Sequence, residues 1–154
     1  NPITYAELAK KLEIGIGEKA PVVATRKAVL ELRAAKGMLL NPSDRDSWSA
    51  GSFFTNPIIS QQKADELPNA APKWPLNDGR VKISAAWLIE NSGIPKGYAL
   101  PGSKAKVSDK HALAITNAGG AKSQEIIELA RFIQERVAAT WGINLVPEPN
   151  LIGF

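Results

Sequence analysis

The sequence predicts an α+β fold, and three observations carry that reading. Strand-like runs are short, and helical patterns fall between them without the regular βαβ rhythm of a parallel sheet. Residues 123–141 repeat apolar side chains at helical spacing through Ile126, Ala130, Ile133, Val137 and Trp141. Residues 50–57, AGSFFTNP, set Gly51 and Ser52 against two phenylalanines, which reads as a strand entered through a bend that glycine permits. The expected architecture is a short mixed or antiparallel sheet packed with several helices, the longest near 123–141.

Each element has its own signal. Thr4 to Glu7 is a T-x-x-E capping box, so a short helix carrying Leu8 and Leu12 starts near Thr4 and ends at Gly15 and Gly17. Thr25 is the expected cap of a second helix, with Val29, Leu30 and Leu32 on its apolar side and its end near Lys36. Residues 37–49 are rich in Gly, Asn, Pro, Ser and Asp and form a loop leading into AGSFFTNP, a strand that Ile58 and Ile59 extend. A helical turn spans about 60–67. Residues 68–79, with prolines at 68, 72 and 75 and an Asn-Asp-Gly run, form a loop. Val81–Ile83 alternates like a strand, and Ser84 caps a helix that Gly93 and Pro95 stop. Residues 97–110 read as an irregular basic loop, and 111–117 as a strand. Gly119-Gly120 turns the chain into the long helix, capped by Ser123 and closed at Gly142, before a last strand at 143–146.

Composition narrows the chemistry. The 154 residues are 44% hydrophobic and 22% charged, enough for one ordinary globular domain or one compact piece of a larger protein. Cysteine is absent, which excludes disulfides and thiolate metal sites, and His111 is the one histidine, which excludes a multi-histidine metal site within this chain. No metal is expected. No run has the length of a membrane span and no signal peptide opens the chain, so the expected location is the cytoplasm, without membrane partners. The net charge of +4 reads as a solvated surface or as attraction to an anionic ligand such as a diphosphate, for which Lys104, Lys106 and Lys110 are the candidates. Nucleic acid is not an expected partner, because no aromatic–basic interleaving accompanies the charge. Neither a dinucleotide GxGxxG nor a Walker loop is present. Asn1-Pro2 runs almost at once into a helix signal, as expected of a piece of a longer polypeptide.

Five residues stand out as candidates for chemistry or binding, each with a plainer reading beside it. Ser52 either bonds backbone at a strand end or donates a proton to a basic carbanion held within hydrogen-bond reach. Glu148 is a solvent-facing charge or a carboxylate placed at a reacting centre. Lys36 meets a helix dipole at a carboxy-terminal end, which is a sufficient role by itself. Asn56 suits a turn or cap, yet its place four residues after Ser52 returns both side chains to one face of an extended strand. His111 is a structural hydrogen-bonder or a ligand contact. Trp87 and Trp141 belong to amphipathic helices and are expected to pack in the core; Trp74 is a core or loop anchor.

AGSFFTNP resembles the proton-donor segment of the UDP-N-acetylenolpyruvoylglucosamine reductase family, flavoenzymes of bacterial cell-wall synthesis. Residues 78–97 (DGRVKISAAWLIENSGIPKG), 110–137 (KHALAITNAGGAKSQEIIELARFIQERV) and 142–153 (GINLVPEPNLIG) look like further segments of that family. Their order and spacing match its carboxy-terminal portion across essentially the whole chain, so the resemblance reads residues 1–154 as a substrate-binding domain. It departs from the family at Thr55 and Ser103, where Lys and Gly are commonest, and at Pro149, where a β-branched residue is usual.

The resemblance implies that Ser52 protonates C2 of the substrate after hydride reaches C3. Glu148 would act at the enolpyruvyl carbon together with an arginine from an amino-terminal region absent here. Lys36, Asn56 and His111 would contact the substrate, UDP-N-acetylglucosamine enolpyruvate. FAD and NADPH are implied as cofactors of the full-length protein, with FAD bound by the absent region, its partner in the same polypeptide; the isolated chain is expected to be inactive. Surfaces that would face that region are expected to drive self-association. The alternative is a non-enzymatic binding module for a UDP-sugar or another diphosphate. Weak, salt-sensitive nucleic-acid binding is a third and lesser reading.

Overall fold

The computed structural model describes residues 1–153, and the chain divides into two compact units, Asn1–Leu40 and the segment from Asn41 onward. The first unit is built on α1 (Ala6–Leu12) and α2 (Val22–Ala35), with Ile3, Ala9 and Ala28 buried. The Thr4 capping box does not form: Tyr5 holds the cap position without a side-chain hydrogen bond, and the Glu7 carboxylate pairs with Lys36. α1 stops before the glycines, because Glu13 itself turns left-handed at φ 56°. α2 starts earlier than its threonine signal. Pro21 stands at the cap with φ −57°, and Thr25 lies inside the helix, donating its hydroxyl proton to the Pro21 carbonyl at 3.0 Å. The helix ends at Ala35, with Lys36 at the C-cap as expected.

The second unit contains two three-stranded antiparallel sheets. One has the order β1 (Ser49–Ser52), β6 (Ala114–Asn117), β5 (Ala105–Val107); the other has β2 (Ile58–Ser60), β4 (Arg80–Ile83), β3 (Lys73–Pro75). Three helices accompany them: α3 (Gln61–Asp65), α4 (Ala85–Glu90) and α5 (Ser123–Trp141). The fold is α+β, as the mixed rhythm of the sequence predicts. α5 packs on β5, β6 and α4 through Ile127, Leu129, Ala130, Ile133 and Val137. The same core takes in Phe54, Ile83, Leu88, Ile94 and Leu145, each contributing about 1.5–3 kcal/mol by leaving water. Trp87 and Trp141 pack together, half-buried, with ring centroids 5.3 Å apart, and the Trp141 indole donates to Ser92 Oγ at 2.9 Å.

Several elements differ from the sequence expectation, each for a physical reason. Ile58 and Ile59 do not prolong the AGSFFTNP strand; they pair with Lys82 and Val81 in the other sheet, after Pro57, which has no N–H to give a ladder. The proline-rich loop contains β3, an edge strand that tolerates Pro75. The basic loop contains β5, whose buried Ala105 and Val107 alternate with Lys106 over too short a run to stand out. β6 starts only at Ala114, because 111–113 form a turn in which the Ala114 N–H donates to the His111 carbonyl at 3.0 Å. Ser123 is the first residue of α5 and not its cap; Glu125 reaches back instead, accepting from the Lys122 N–H at 2.7 Å. Gly142 closes the helix at φ 65° as expected, but 143–146 form no regular strand.

Candidate functional site

The segment 49–56 is the spine of the site. β1 pairs with β6 through Ser49–Thr116 and Ser52–Ala114, so three steps along β1 face two along β6. The extra residue makes a bulge, and Gly51 adopts φ +87° within it. A bulge of this kind re-aims the side chain that follows, which here is Ser52. Beyond it the Phe53 N–H donates to the Leu113 carbonyl at 2.7 Å, and the Phe53 carbonyl accepts from the Glu148 N–H at 2.9 Å. The Thr55 N–H donates to the Val146 carbonyl at 3.0 Å, and Phe54 bridges to Pro147. Phe53 and Phe54 are both buried, their rings edge to face at 5.3 Å, and they anchor this crossing in the core.

Ser52 is half-buried, and its hydroxyl makes no hydrogen bond to any other residue among those described. The plain reading of a strand-end serine bonded to backbone therefore does not apply. Glu148 comes in beside it from the far end of the chain: its main chain is bonded to the residue next to Ser52, while its exposed carboxylate has no ion-pair partner among the described residues. His111 belongs to the turn that precedes Leu113, on the other side of Phe53. Its Nδ1 accepts from the Leu113 N–H at 3.2 Å, which gives the ring a structural bond.

Asn56 departs from the expected geometry. The backbone bends at Phe53, so the chain from Ser52 to Asn56 is not one extended strand and the same-face spacing does not hold. Asn56 Oδ1 instead accepts from the Ala85 N–H at 2.9 Å, capping α4 together with Ser84, whose hydroxyl accepts from Trp87. The Asn56 Nδ2 group keeps its two donors available at a cleft of about 410 Å³ lined also by Thr55, Lys63, Gly142 and Asn144. Lys36 belongs to the first unit, where it pairs with Glu7 at 2.5 Å and borders an apolar hollow formed with Tyr5, Leu8, Leu32 and Met38.

The basic cluster is largely neutralised. Lys106 pairs with Asp109, and Lys110 pairs with Asp44. Lys110's hydrogen bond holds the Asp44 carboxyl below its ordinary value, and the same bond raises Lys110. Lys104 lines a hollow of about 510 Å³ that also contains Glu125 and Glu128, so that surface is of mixed sign. Glu125 is held below the usual glutamate range by the main-chain N–H groups of Lys122 and Lys104. Among the described residues no group of three His, Cys, Asp or Glu side chains is placed to hold a metal, and no helix is long and apolar enough to cross a membrane.

Two residues of this region escaped sequence reasoning. Asp46, in the loop before β1, is the one buried charged side chain among the described residues; it accepts from Ser108 Oγ at 2.7 Å and from the Asp109 N–H at 2.9 Å. Ser108, also buried, accepts in turn from the Lys110 and His111 N–H groups at 3.0 and 3.1 Å. The Ser-Asp-Lys run at 108–110 carries a serine-turn signal, whereas nothing local distinguishes Asp46 from a solvated loop aspartate.

Residues 41–152 match the model of the UDP-N-acetylenolpyruvoylglucosamine reductase, C-terminal domain. The chain belongs to the UDP-N-acetylenolpyruvoylglucosamine reductase family. A reductase of that name from Cutibacterium acnes is 50% identical over 99% of this chain and 40% of its own length. One from Leifsonia xyli is 46% identical over 99% of this chain and 47% of its own. The chain thus spans less than half the length of these reductases. The crystal structure of the reductase from Thermus caldophilus is 25% identical, covering 86% of this chain and 36% of that one, with a TM-score of 0.48. The family match begins at residue 41, where the second compact unit also begins, and it takes in Ser52, Asn56, His111 and Glu148 but not Lys36.

Proposed function

We propose that this chain is the substrate-binding and proton-donating part of an NADPH- and FAD-dependent reductase of peptidoglycan synthesis, which converts UDP-N-acetylglucosamine enolpyruvate to UDP-N-acetylmuramate. One observation carries the reading within this family: a hydroxyl without a partner at Ser52, on a bulged strand, with the main chain of Glu148 bonded to the very next residue. The relatives are reductases, so the non-enzymatic binding module is not favoured. The match from residue 41 and the compact unit that starts there support taking the second unit as the substrate domain, with residues 1–40 forming a separate piece.

The sequence offers a flavin no glycine-rich cradle, and the cofactor is assigned to the rest of the longer polypeptide. When bound, the flavin supplies a hydride to C3 of the enolpyruvyl group. This chain's residues do the rest. The Ser52 hydroxyl donates its proton to the carbanionic C2, a base strong enough to take a proton from an alcohol when donor and acceptor are held in reach. Glu148 lies at the same carbon; a carboxylate there needs a cationic neighbour to avoid repelling the developing charge, and the arginine that the family contributes from outside this chain fits that need. The amide of Asn56 and the ring of His111 bind the nucleotide sugar. The cytoplasm, where that substrate would be found, is the proposed location.

The test uses the full-length polypeptide, purified with its flavin. Wild type should oxidise NADPH on addition of UDP-N-acetylglucosamine enolpyruvate. Ser52→Ala should lower kcat by about 10²–10⁴-fold, the usual worth of a positioned acid, while substrate affinity changes little. Unaltered turnover in that variant would remove Ser52 from the mechanism.

A further inference from the structure

The loop before β1 carries a buried carboxylate that the proposed reaction does not use. Asp46 is 7% exposed and Ser108, its partner, 1%. An ionised carboxylate only accepts hydrogen bonds, so the Ser108 hydroxyl must point its single proton at Asp46. Both lone pairs of that oxygen are then left for the Lys110 and His111 N–H groups. Every hydrogen-bonding capacity of the hydroxyl is thus spent, and each bond fixes one position of the turn 108–111. The second Asp46 oxygen takes the Asp109 N–H, completing the clamp.

From that turn the order passes to the site without a gap. The Ser108 N–H donates to the Ala114 carbonyl at 2.8 Å, and the Leu113 N–H is tied to His111 Nδ1. Leu113 presents the carbonyl that receives the Phe53 N–H, directly beside Ser52. We propose that Asp46 is a positioning residue for the reaction: through Ser108 it sets the turn that carries His111 and the carbonyl that fixes Phe53, and so the place of the Ser52 hydroxyl. The inference rests on the reductase reading and gives the polar loop ahead of β1 a purpose. Asparagine is the informative substitution. It matches aspartate in shape, but whichever way its amide turns, either the Ser108 O–H or the Asp109 N–H meets another donor.

In the full-length polypeptide, Asp46→Asn should speed exchange of the Phe53 amide about tenfold or more, while the amide of Leu129, a buried residue in the middle of α5, keeps its wild-type rate. It should also lower kcat about tenfold or more, since small displacements of a reacting group are costly. In the Ser52→Ala background the same change should cost less than about twofold further, because a hydroxyl that is gone cannot be misplaced. Phe53 exchange that stays at the wild-type rate, or that rises no more than Leu129 exchange, overturns the proposal. So does a full additional loss of kcat in the Ser52→Ala background. Should Asp46→Asn fail to fold, Ser108→Ala removes the same relay at the hydroxyl and is read on the same two amides. A wild type without substrate-dependent NADPH oxidation defeats the reductase reading; an active enzyme that Asp46→Asn leaves at full speed defeats this one alone.

Discussion

Ser52, Glu148 and His111 reach one neighbourhood because Phe53 spends its N–H on Leu113 and its carbonyl on Glu148. The nearby Asp44–Lys110 pair shows how charge supports this region, with side chains 34% and 37% exposed. Asp44 titrates below its ordinary value, so its contribution is present above that value and is lost as the pH falls through the lowered one. Lys110 titrates above its ordinary value, so its share is present below that value and is lost as the pH rises through the raised one. Asp44→Asn should therefore lower the urea midpoint slightly at neutral pH and not at all in strong acid, and added salt should shrink the difference. A deficit that persists unchanged in acid would mean the loop conformation, and not the ion pair, is responsible. At this scale the sequence makes the residue types legible, since a serine beside buried phenylalanines invites attention. It does not make Asp46 legible, because burial of that loop side chain depends on partners in the 108–109 turn.

Elements were readable where their signals are local. Ser84 as a cap, Ser60 at the start of α3, Gly142 as a terminator and the apolar stripe of α5 all act within one or two turns of themselves. Elements that borrow a partner from elsewhere were not. Asn56 caps α4 from beside the end of β4, where the β2–β4 pairing brings it, and β3 and β5 are three-residue strands that exist because β4 and β6 offer them ladders. The bulge in β1 shares both characters. Its glycine is visible in the sequence, yet the mismatch in pairing that makes it a bulge belongs to the sheet. A β-carbon at Gly51 meets no atom within 4 Å, so the penalty for Gly51→Ala is conformational: about 1–2 kcal/mol for holding an L-residue at this positive φ. Stability by denaturant melting should fall by that amount, and kcat of the full-length enzyme should fall with it as Ser52 swings. Intact stability would show that the bulge relaxes without strain.

At the scale of the whole molecule, the two compact units have unequal cores. The second buries a continuous cluster from Phe53 to Leu145, whereas the first buries just three hydrophobic side chains, Ile3, Ala9 and Ala28, and leaves Tyr5, Val22, Val23 and Leu40 in water. Ordering each residue costs about 1–2 kcal/mol in backbone entropy, which three small burials cannot offset over forty positions. Residues 41–154 expressed alone should give a cooperative thermal melt by circular dichroism, and residues 1–40 alone should show none. A non-cooperative melt of the larger piece would place the domain boundary elsewhere.

The sequence by itself determined the α+β class, the long amphipathic helix, the family and the identity of the candidate side chains. These depend on residue type, on spacing and on signals that act within a few positions. Tertiary structure alone decided that the strand at Ser52 bulges and then leaves its sheet, that Asn56 turns away to cap a helix, and that the chain's far end returns beside Phe53. It also decided that a loop aspartate is buried. These are long-range facts, set by which backbone groups find partners once the core has closed, and no local pattern encodes them.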